Sequence, residues 1–129
     1  MKKISPLLAL LCWFATALNA APALYAVKIH ADWCVVCKRL EPAFEAAQSE
    51  LKEADVAFLK FDLTSDATQA ASQEKARELG LEALFAQRLP TGIVVVYDPE
   101  TQEIRQILKV NRSGAQMAEA IRELLAQES

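Results

Sequence analysis

Two cysteines, Cys34 and Cys37, are the residues of this chain whose type and spacing indicate chemistry. They lie three positions apart at the predicted start of a helix, where side chains are close neighbours and a disulfide can form with modest adjustment. Cys34 lies where unpaired N–H groups and the helix dipole favour an anion, and Lys38 adds a positive charge. Cys37 falls on the apolar stripe of the helix. We therefore expect Cys34 to be an exposed thiolate nucleophile and Cys37 to be the resolving thiol beneath it.

The cysteine pair also has other uses that stay open. A structural disulfide would close a very short loop, which makes it a poor stabiliser. A metal site would favour soft Cu(I), because thiolates bind this ion, and His30 is the one imidazole of the chain. Disulfide exchange without a cofactor is the leading hypothesis, and a copper-binding or metallochaperone module is the alternative. A third hypothesis is an envelope interaction domain without enzymatic activity.

Three residues near the pair each have two interpretations. His30 either modulates Cys34 or is an ordinary half-buried strand histidine. Trp33 either shapes a docking surface for a substrate or only covers the pair. Lys28 lies in an otherwise apolar strand, so either its amine reaches the surface by extending its chain or its charge acts on the site.

The first 20 residues are typical of a secretory signal peptide. A basic start, Met1-Lys2-Lys3, precedes an apolar run over Ile4 to Leu18, and small residues surround the predicted cleavage point after Ala20. Cleavage would remove Cys12 and leave one domain over residues 21–129. Export carries a protein to a compartment where disulfides persist, so we expect the periplasm. N-terminal anchoring in the inner membrane is the alternative, because the uncharged stretch is long enough to span a bilayer.

Hydrophobic periodicity predicts the elements that position the pair, in the order β-α-β-α-β-β-α. A strand over 23–31 leads into a helix over 37–54, whose apolar stripe is Leu40, Phe44, Ala47 and Leu51 and which Pro42 should kink. The remaining elements are a strand over 56–63, a surface helix over 65–80, a short helix or loop over 81–89, strands over 93–97 and 104–110, and a helix over 113–127.

The order of these elements predicts an α/β domain with a mixed sheet and helices on both faces. Strands separated by helices are expected to pair in parallel, and the last two strands form an antiparallel hairpin. In the closing helix the predicted apolar face is Met117, Ile121, Leu124 and Leu125. The acidic residues of the first helix are predicted to form a solvated face: Glu41, Glu45, Glu50 and Glu53.

The composition fits one compact domain and excludes several classes of protein. The chain has 129 residues, of which 53% are hydrophobic and 24% are charged. A net charge of −3 gives no electrostatic footprint for nucleic acid. Three glycines and five prolines exclude a collagen-like or low-complexity chain. We expect a monomer.

The segment Ala31-Asp32-Trp33-Cys34-Val35-Val36-Cys37-Lys38 resembles the active-site segment of the thioredoxin family. Pro42 stands at the place of that family's helix-kinking proline, and Leu89-Pro90-Thr91 resembles its cis-proline loop. The resemblance implies a thioredoxin fold with a mixed sheet of four to five strands. It also implies that backbone groups of Leu89 and Thr91 face the cysteines and bind a substrate segment as an added strand.

Within the family, the segment is most similar to the C-terminal periplasmic domain of the transmembrane disulfide reductase. This similarity implies a reductant that exchanges with protein thiols or disulfides of the cell envelope and is recycled by a membrane-bound or other dithiol protein. The sequence departs from the family at Lys28, six residues before Cys34, where typical thioredoxins have a buried acid. No residue of the sequence evidently takes over the proton-transfer role of that acid. Val35 and Val36 offer no positive partner to a thiolate, which favours a less oxidising couple.

Overall fold

A computed structural model of the protein describes residues 21–128. The signal peptide predicted over residues 1–20, with Cys12, lies outside the described residues. Within residues 21–128, no helix combines the length and apolar character that a membrane span requires. The elements are β1 (Leu24–His30), α1 (Val35–Glu50), β2 (Val56–Asp62), α2 (Asp66–Leu79), α3 (Glu82–Phe85), β3 (Ile93–Asp98), β4 (Glu103–Leu108) and α4 (Gly114–Gln127).

The strands form one mixed sheet in the order β2-β1-β3-β4, which confirms the predicted architecture with four strands. β1 pairs in parallel with β2, and β3 pairs antiparallel with both β1 and β4. The expectation of parallel pairing is therefore wrong for β3, although helices separate it from β2. The reason is that the connection returns to the end where β1 finishes, and the Gly92 N–H donates to Ile29 O at 2.8 Å. β3 then runs back along β1.

Helices cover both faces of the sheet, and β1 lies in the middle. Leu24 and Ala26 face α1 and α4, whereas Tyr25, Val27 and Ile29 face α2 and α3. The predicted apolar stripe of α1 is buried as expected. On the predicted apolar face of α4, Leu125 is the one residue that remains partly exposed. Because side chains alternate along a strand, Lys28 falls on the α1 face, directly under the helix that carries the cysteines.

Local sequence signals determine where the helices begin and end. Ser65 and Ser113 each accept a hydrogen bond from a backbone N–H three residues later and form capping boxes. α2 ends at Gly80, which adopts a left-handed conformation with φ of 74°. α1 begins two residues earlier than predicted because Cys34 caps it, and Pro42 lies inside it.

Candidate redox site

Cys34 caps the N-terminus of α1 with its own sulfur. Its backbone is extended (φ −92°, ψ 110°), and its Sγ accepts a hydrogen bond from the Cys37 backbone N–H at 3.2 Å. The sulfur thus occupies the position of a capping oxygen, where the first N–H groups of a helix lack intrahelical partners. Cys34 and Cys37 are both free thiols.

The hydrogen bonds around Cys34 favour its thiolate. Burial raises the pKa of the Cys34 thiol, but hydrogen bonds from the Cys37 thiol, the Thr91 hydroxyl and the backbone N–H groups of Cys37 and Val36 outweigh it. The net result is a pKa below the ordinary cysteine value. Each of these donors points at the sulfur, and hydrogen bonds to the charged form of a group favour ionisation.

Cys37 lies in the opposite environment. Its side chain is fully buried, and the Ile29 carbonyl oxygen, 3.6 Å from its Sγ, is a second acceptor within reach of its single S–H proton. Burial raises the pKa of the Cys37 thiol and its hydrogen bond to Cys34 raises it further, whereas the Ala31 backbone and the positive charge of Lys28 lower it in part. At neutral pH the pair therefore consists of a reactive outer sulfur and a protonated inner one.

Cys34 is less exposed than the sequence led us to expect. Only 9% of its surface is accessible, because the backbone at Gly92 lies against it: a Cβ atom on Gly92 would lie 3.6 Å from Cys34 Sγ and 3.0 Å from Val36 Cγ1. Trp33 and Val35 beside it are 65% and 69% exposed. These exposed apolar side chains form a rim around the small accessible part of Cys34, which we call the opening.

The loop before β3 meets the cysteines as the resemblance implies, but in a different backbone conformation. Thr91 is half-buried against Cys34, Pro90 is exposed, and Leu89 packs into the core on the α2 face. All peptide bonds across residues 21–128 are trans, so the expected cis bond before Pro90 is wrong. Trans is the preferred isomer of an X-Pro bond, and the chain turns instead through positive φ angles of 52° at Arg88 and 91° at Gly92.

Gly92 is a residue of the site that the sequence did not predict, although Pro90-Thr91-Gly92 is adjacent to a predicted strand. Its φ of 91° favours glycine, and its N–H donates to Ile29 O, the same oxygen that lies 3.6 Å from Cys37 Sγ. The only signal in the sequence was a glycine immediately before the strand. Its contact with the cysteine turn exists only in the tertiary structure.

A second polar cluster holds the turn before Cys34. The Asp32 N–H donates to Thr64 Oγ1 at 2.9 Å, and Trp33 Nε1 donates to the Thr64 carbonyl at 3.2 Å. His30 Nε2 lies 2.9 Å from Asp32 Oδ1, so the partner that the structure gives His30 is this carboxylate. Thr64 thus ties the active-site turn to the end of β2. Modulation of Cys34 by His30 stays a prediction.

Lys28 is fully buried, and its amine does not reach the surface. Its Nζ pairs with Glu41 Oε2, and Glu41 Oε1 pairs with Lys60 Nζ. The prediction that Glu41 is a solvated residue is therefore wrong, because β1 and β2 bring two lysines to it. Although burial raises the pKa of Glu41, hydrogen bonds and the positive charges of both lysines lower it to about 2.

Lys38 and the other three acidic residues of that predicted face differ from Glu41. Lys38 is exposed on α1, and its modulation of Cys34 stays a prediction. The three remaining carboxylates are exposed as predicted: Glu45, Glu50 and Glu53. Across residues 21–128, no group of three or more His, Cys, Asp or Glu side chains is arranged to hold a metal ion. The copper-binding alternative stays a prediction.

Comparisons with known proteins agree with this geometry. The sequence model of the thioredoxin family matches residues 12–78, about half of the chain. No curated protein matches the chain. The fold is similar to that of a thiol:disulfide interchange protein of the thioredoxin family from Chlorobium tepidum TLS, with a TM-score of 0.54, 17% identity and coverage of 79% of each chain.

Two further structures share the fold at low identity. The thioredoxin domain of a thiol-disulfide oxidoreductase from Bacteroides vulgatus has a TM-score of 0.52 and 10% identity, with 81% of each chain covered. Oxidised thioredoxin from Plasmodium falciparum has a TM-score of 0.51 and 18% identity, covering 81% of this chain and 83% of its own. The family match shows that the chain belongs to the thioredoxin family of redox enzymes, whose proteins exchange disulfides with protein substrates.

Proposed function

We propose that the protein is a periplasmic thiol–disulfide oxidoreductase that reduces disulfides of envelope proteins. The observation that carries the proposal is the opposite surroundings of the two thiols: Cys34 Sγ accepts a backbone hydrogen bond at the start of α1, whereas Cys37 is fully buried. Hydrogen bonds lower the pKa of Cys34 at the opening, whereas burial raises the pKa of Cys37 behind it. A nucleophile and a resolving thiol need this division, because the thiolate is the attacking species.

The reaction proceeds through a mixed disulfide. The Cys34 thiolate attacks one sulfur of a substrate disulfide, and the other substrate sulfur leaves as a thiolate. Cys37 then loses its proton and attacks Cys34 Sγ, which releases the second substrate sulfur and forms the Cys34–Cys37 disulfide. The two released thiolates take up protons, so the substrate is reduced by two electrons and the enzyme is oxidised by two.

The surface around the opening supports a protein substrate. Trp33 and Val35 present exposed apolar side chains, and Thr91 places the loop before β3 against the nucleophile. We infer that a substrate segment lies between this rim and the Leu89-Pro90-Thr91 loop, with its sulfur over Cys34. Backbone pairing along the loop would give affinity without demanding a particular sequence.

We propose the location and the electron supply from features of the sequence. The N-terminal signal and the resemblance of the active-site segment to the periplasmic domain of the transmembrane reductase support export and a reducing direction. A membrane-bound or other dithiol protein would reduce the Cys34–Cys37 disulfide after each turnover. Fractionation of a bacterial host, mass measurement of the secreted form and gel filtration check the periplasm, cleavage after Ala20 and the expected monomer.

The activity is tested by insulin reduction with dithiothreitol as the electron source. Cys34→Ser should abolish catalysis, because the nucleophile is lost, and Cys37→Ala should accumulate mixed disulfides that identify the substrates. Cys12→Ser is the matched control, since it makes the same chemical change in the predicted leader and should retain full activity. Activity retained by Cys34→Ser would reject the mechanism.

A further inference from the structure

The active-site helix lies over a buried positive charge that disulfide exchange as described above does not use. Lys28 is fully buried in the central strand, and the register aligns it with Lys60 of β2 and Val94 of β3. Its ammonium pairs with Glu41, which in turn pairs with the partly exposed Lys60. Two cations and one carboxylate leave this cluster with an excess positive charge. A buried charge is costly to desolvate, so its retention here needs a reason.

The cluster lies next to the resolving cysteine. Glu41 follows Cys37 by four residues, so both side chains lie on the same face of α1, and Lys28 reaches that face from the sheet below. The charged groups that act on the Cys37 thiol are Cys34 at the helix start and Lys28 in the sheet below, and Glu41 and Lys60 belong to the same ion cluster as Lys28. Among them, Lys28 favours the ionised form of Cys37 and the Cys34 thiolate opposes it.

Glu41 is unsuited to act as the base for Cys37. Its pKa of about 2 means that it stays ionised at neutral pH and binds a proton weakly. Glu41 therefore does not supply a site that could accept the proton of Cys37 at neutral pH. A fixed cation lowers the free energy of a nearby thiolate without accepting a proton itself.

We propose that Lys28 is a positioning residue that holds a fixed positive charge beneath Cys37 and so promotes its attack on the mixed disulfide. The proposal rests on the function proposed above. In this step the S–H bond of Cys37 breaks, a Cys37–Cys34 bond forms and the Cys34–substrate bond breaks. The proton passes through solvent to the departing substrate thiolate, so no further oxidant or reductant is needed. Glu41 limits the effect by partly neutralising Lys28.

The step can be observed directly with dithiobis(nitrobenzoate) as the probe. Attack by Cys34 on this disulfide releases one coloured thiolate, and attack by Cys37 on the resulting mixed disulfide releases the second. The first release depends on reagent concentration and the second does not. Stopped-flow absorbance therefore separates the nucleophile from the resolving thiol in a single experiment.

The two charge variants should change the second release in opposite directions. Lys28→Met should slow the second release about threefold or more at pH 7. Each unit by which the pKa of Cys37 rises lowers its thiolate fraction about tenfold and raises the nucleophilicity of that thiolate about threefold. Glu41→Gln should accelerate the second release by a similar factor, because Lys28 loses its counter-ion. The pH midpoint of the second release should rise in Lys28→Met and fall in Glu41→Gln, while the first release changes little in either.

Lys60→Met is the matched control, since it removes a cation from the same carboxylate but at a solvent-screened position. It should change the second release less than about twofold. Lys28→Gln, which keeps a donor for Glu41 without the charge, replaces Lys28→Met if that variant does not fold, and circular dichroism verifies the fold of each.

Equal slowing in Lys28→Met and Glu41→Gln, or no change in either, would overturn the role of Lys28 and leave the proposed function intact. An effect of Lys60→Met as large as that of Lys28→Met would also overturn it. Absence of a second release in the unmodified protein would instead overturn the proposed function itself.

Discussion

At the scale of single residues, the site depends on which atoms point at Cys34 Sγ. The backbone N–H of Cys37 and the Thr91 hydroxyl donate to it, from the helix start and from the loop before β3. These donors come from segments far apart in the chain, and together with the Cys37 thiol and the Val36 N–H they outweigh the burial that disfavours a thiolate. The reactivity of the nucleophile therefore depends on the tertiary contact between the two segments.

The pH dependence of alkylation measures this effect. Iodoacetamide should modify Cys34 with a midpoint below the ordinary thiol pKa, and Cys37 only at higher pH. Thr91→Val should raise the Cys34 midpoint by about one pH unit, because a hydrogen bond to a charged group contributes about 1.5–3 kcal/mol. Thr101→Val, the same change in a distant turn, should leave it unchanged. An unaltered midpoint in Thr91→Val would show that the hydroxyl does not stabilise the thiolate.

Gly92 and Gly80 form a second residue-scale pair. Both have positive φ, 91° and 74°, but a Cβ atom on Gly92 would meet Val36 at 3.0 Å, whereas Gly80 has open space. Gly80→Ala should cost about 1 kcal/mol of unfolding free energy from backbone strain alone. Gly92→Ala should cost about 2–3 kcal/mol, because displacement of Val36 adds to the strain.

Urea unfolding and insulin reduction distinguish the two glycine variants. Gly92→Ala should also lower the rate of insulin reduction, because Val36 flanks the opening to Cys34, while Gly80→Ala keeps it. Equal stability losses with full activity in both variants would show that close approach at Gly92 is not a constraint on the site.

At the scale of elements, α1 is the platform of the site. It begins at the Cys34 cap, buries Cys37 one turn later and reaches the sheet through Glu41. The carboxylate connects α1 to β1 and β2 at once, because its two oxygens pair with Lys28 and Lys60. The orientation of the cysteines relative to the sheet thus depends on an ion cluster as well as on apolar packing.

Ionised Glu41 should make the free energy of unfolding decrease when the pH becomes acidic. Its pKa falls from 4.5 to about 2 on folding, so the ionised form stabilises the folded state. This contribution, at most about 3 kcal/mol, is complete above pH 4.5 and is lost as the pH falls towards 2. Urea unfolding of Glu41→Gln should therefore show a deficit of that size at pH 7 that shrinks at pH 3.

Glu45→Gln, at an exposed position of the same helix, is the control. It should change the unfolding free energy by less than about 0.5 kcal/mol at either pH. A deficit in Glu41→Gln that is the same at pH 7 and pH 3 would contradict the role of the ionised carboxylate.

At the scale of the whole molecule, the two faces of the sheet are packed unequally. On one face α1 and α4 bury long apolar stripes against β1 and β3. On the other, α2 buries only Ser72 and Ala76, and α3 is four residues long. Ser72 attaches α2 through its hydroxyl, which donates to the Asp62 carbonyl and accepts from the Asp62 N–H.

Hydrogen exchange should reveal this difference. Amides of α2 should exchange at least about tenfold faster than those of α1, because less apolar surface must be exposed to open α2. Mass spectrometry of peptides from the two helices measures both in one sample. Equal protection of α1 and α2 would show that the two faces unfold as a single unit.

The amino-acid sequence by itself determined the helices, most strand bounds, the buried stripes and the position of the cysteine pair. These features depend on periodicity, capping residues and short spacings, which are properties of neighbouring residues. The tertiary structure alone decided the direction of β3, the approach of Gly92 to Cys34, the trans bond before Pro90 and the pairing of Lys28 with Glu41. Each of these depends on which segments become neighbours in space, and neither charge partners nor contact distances are encoded in local spacing.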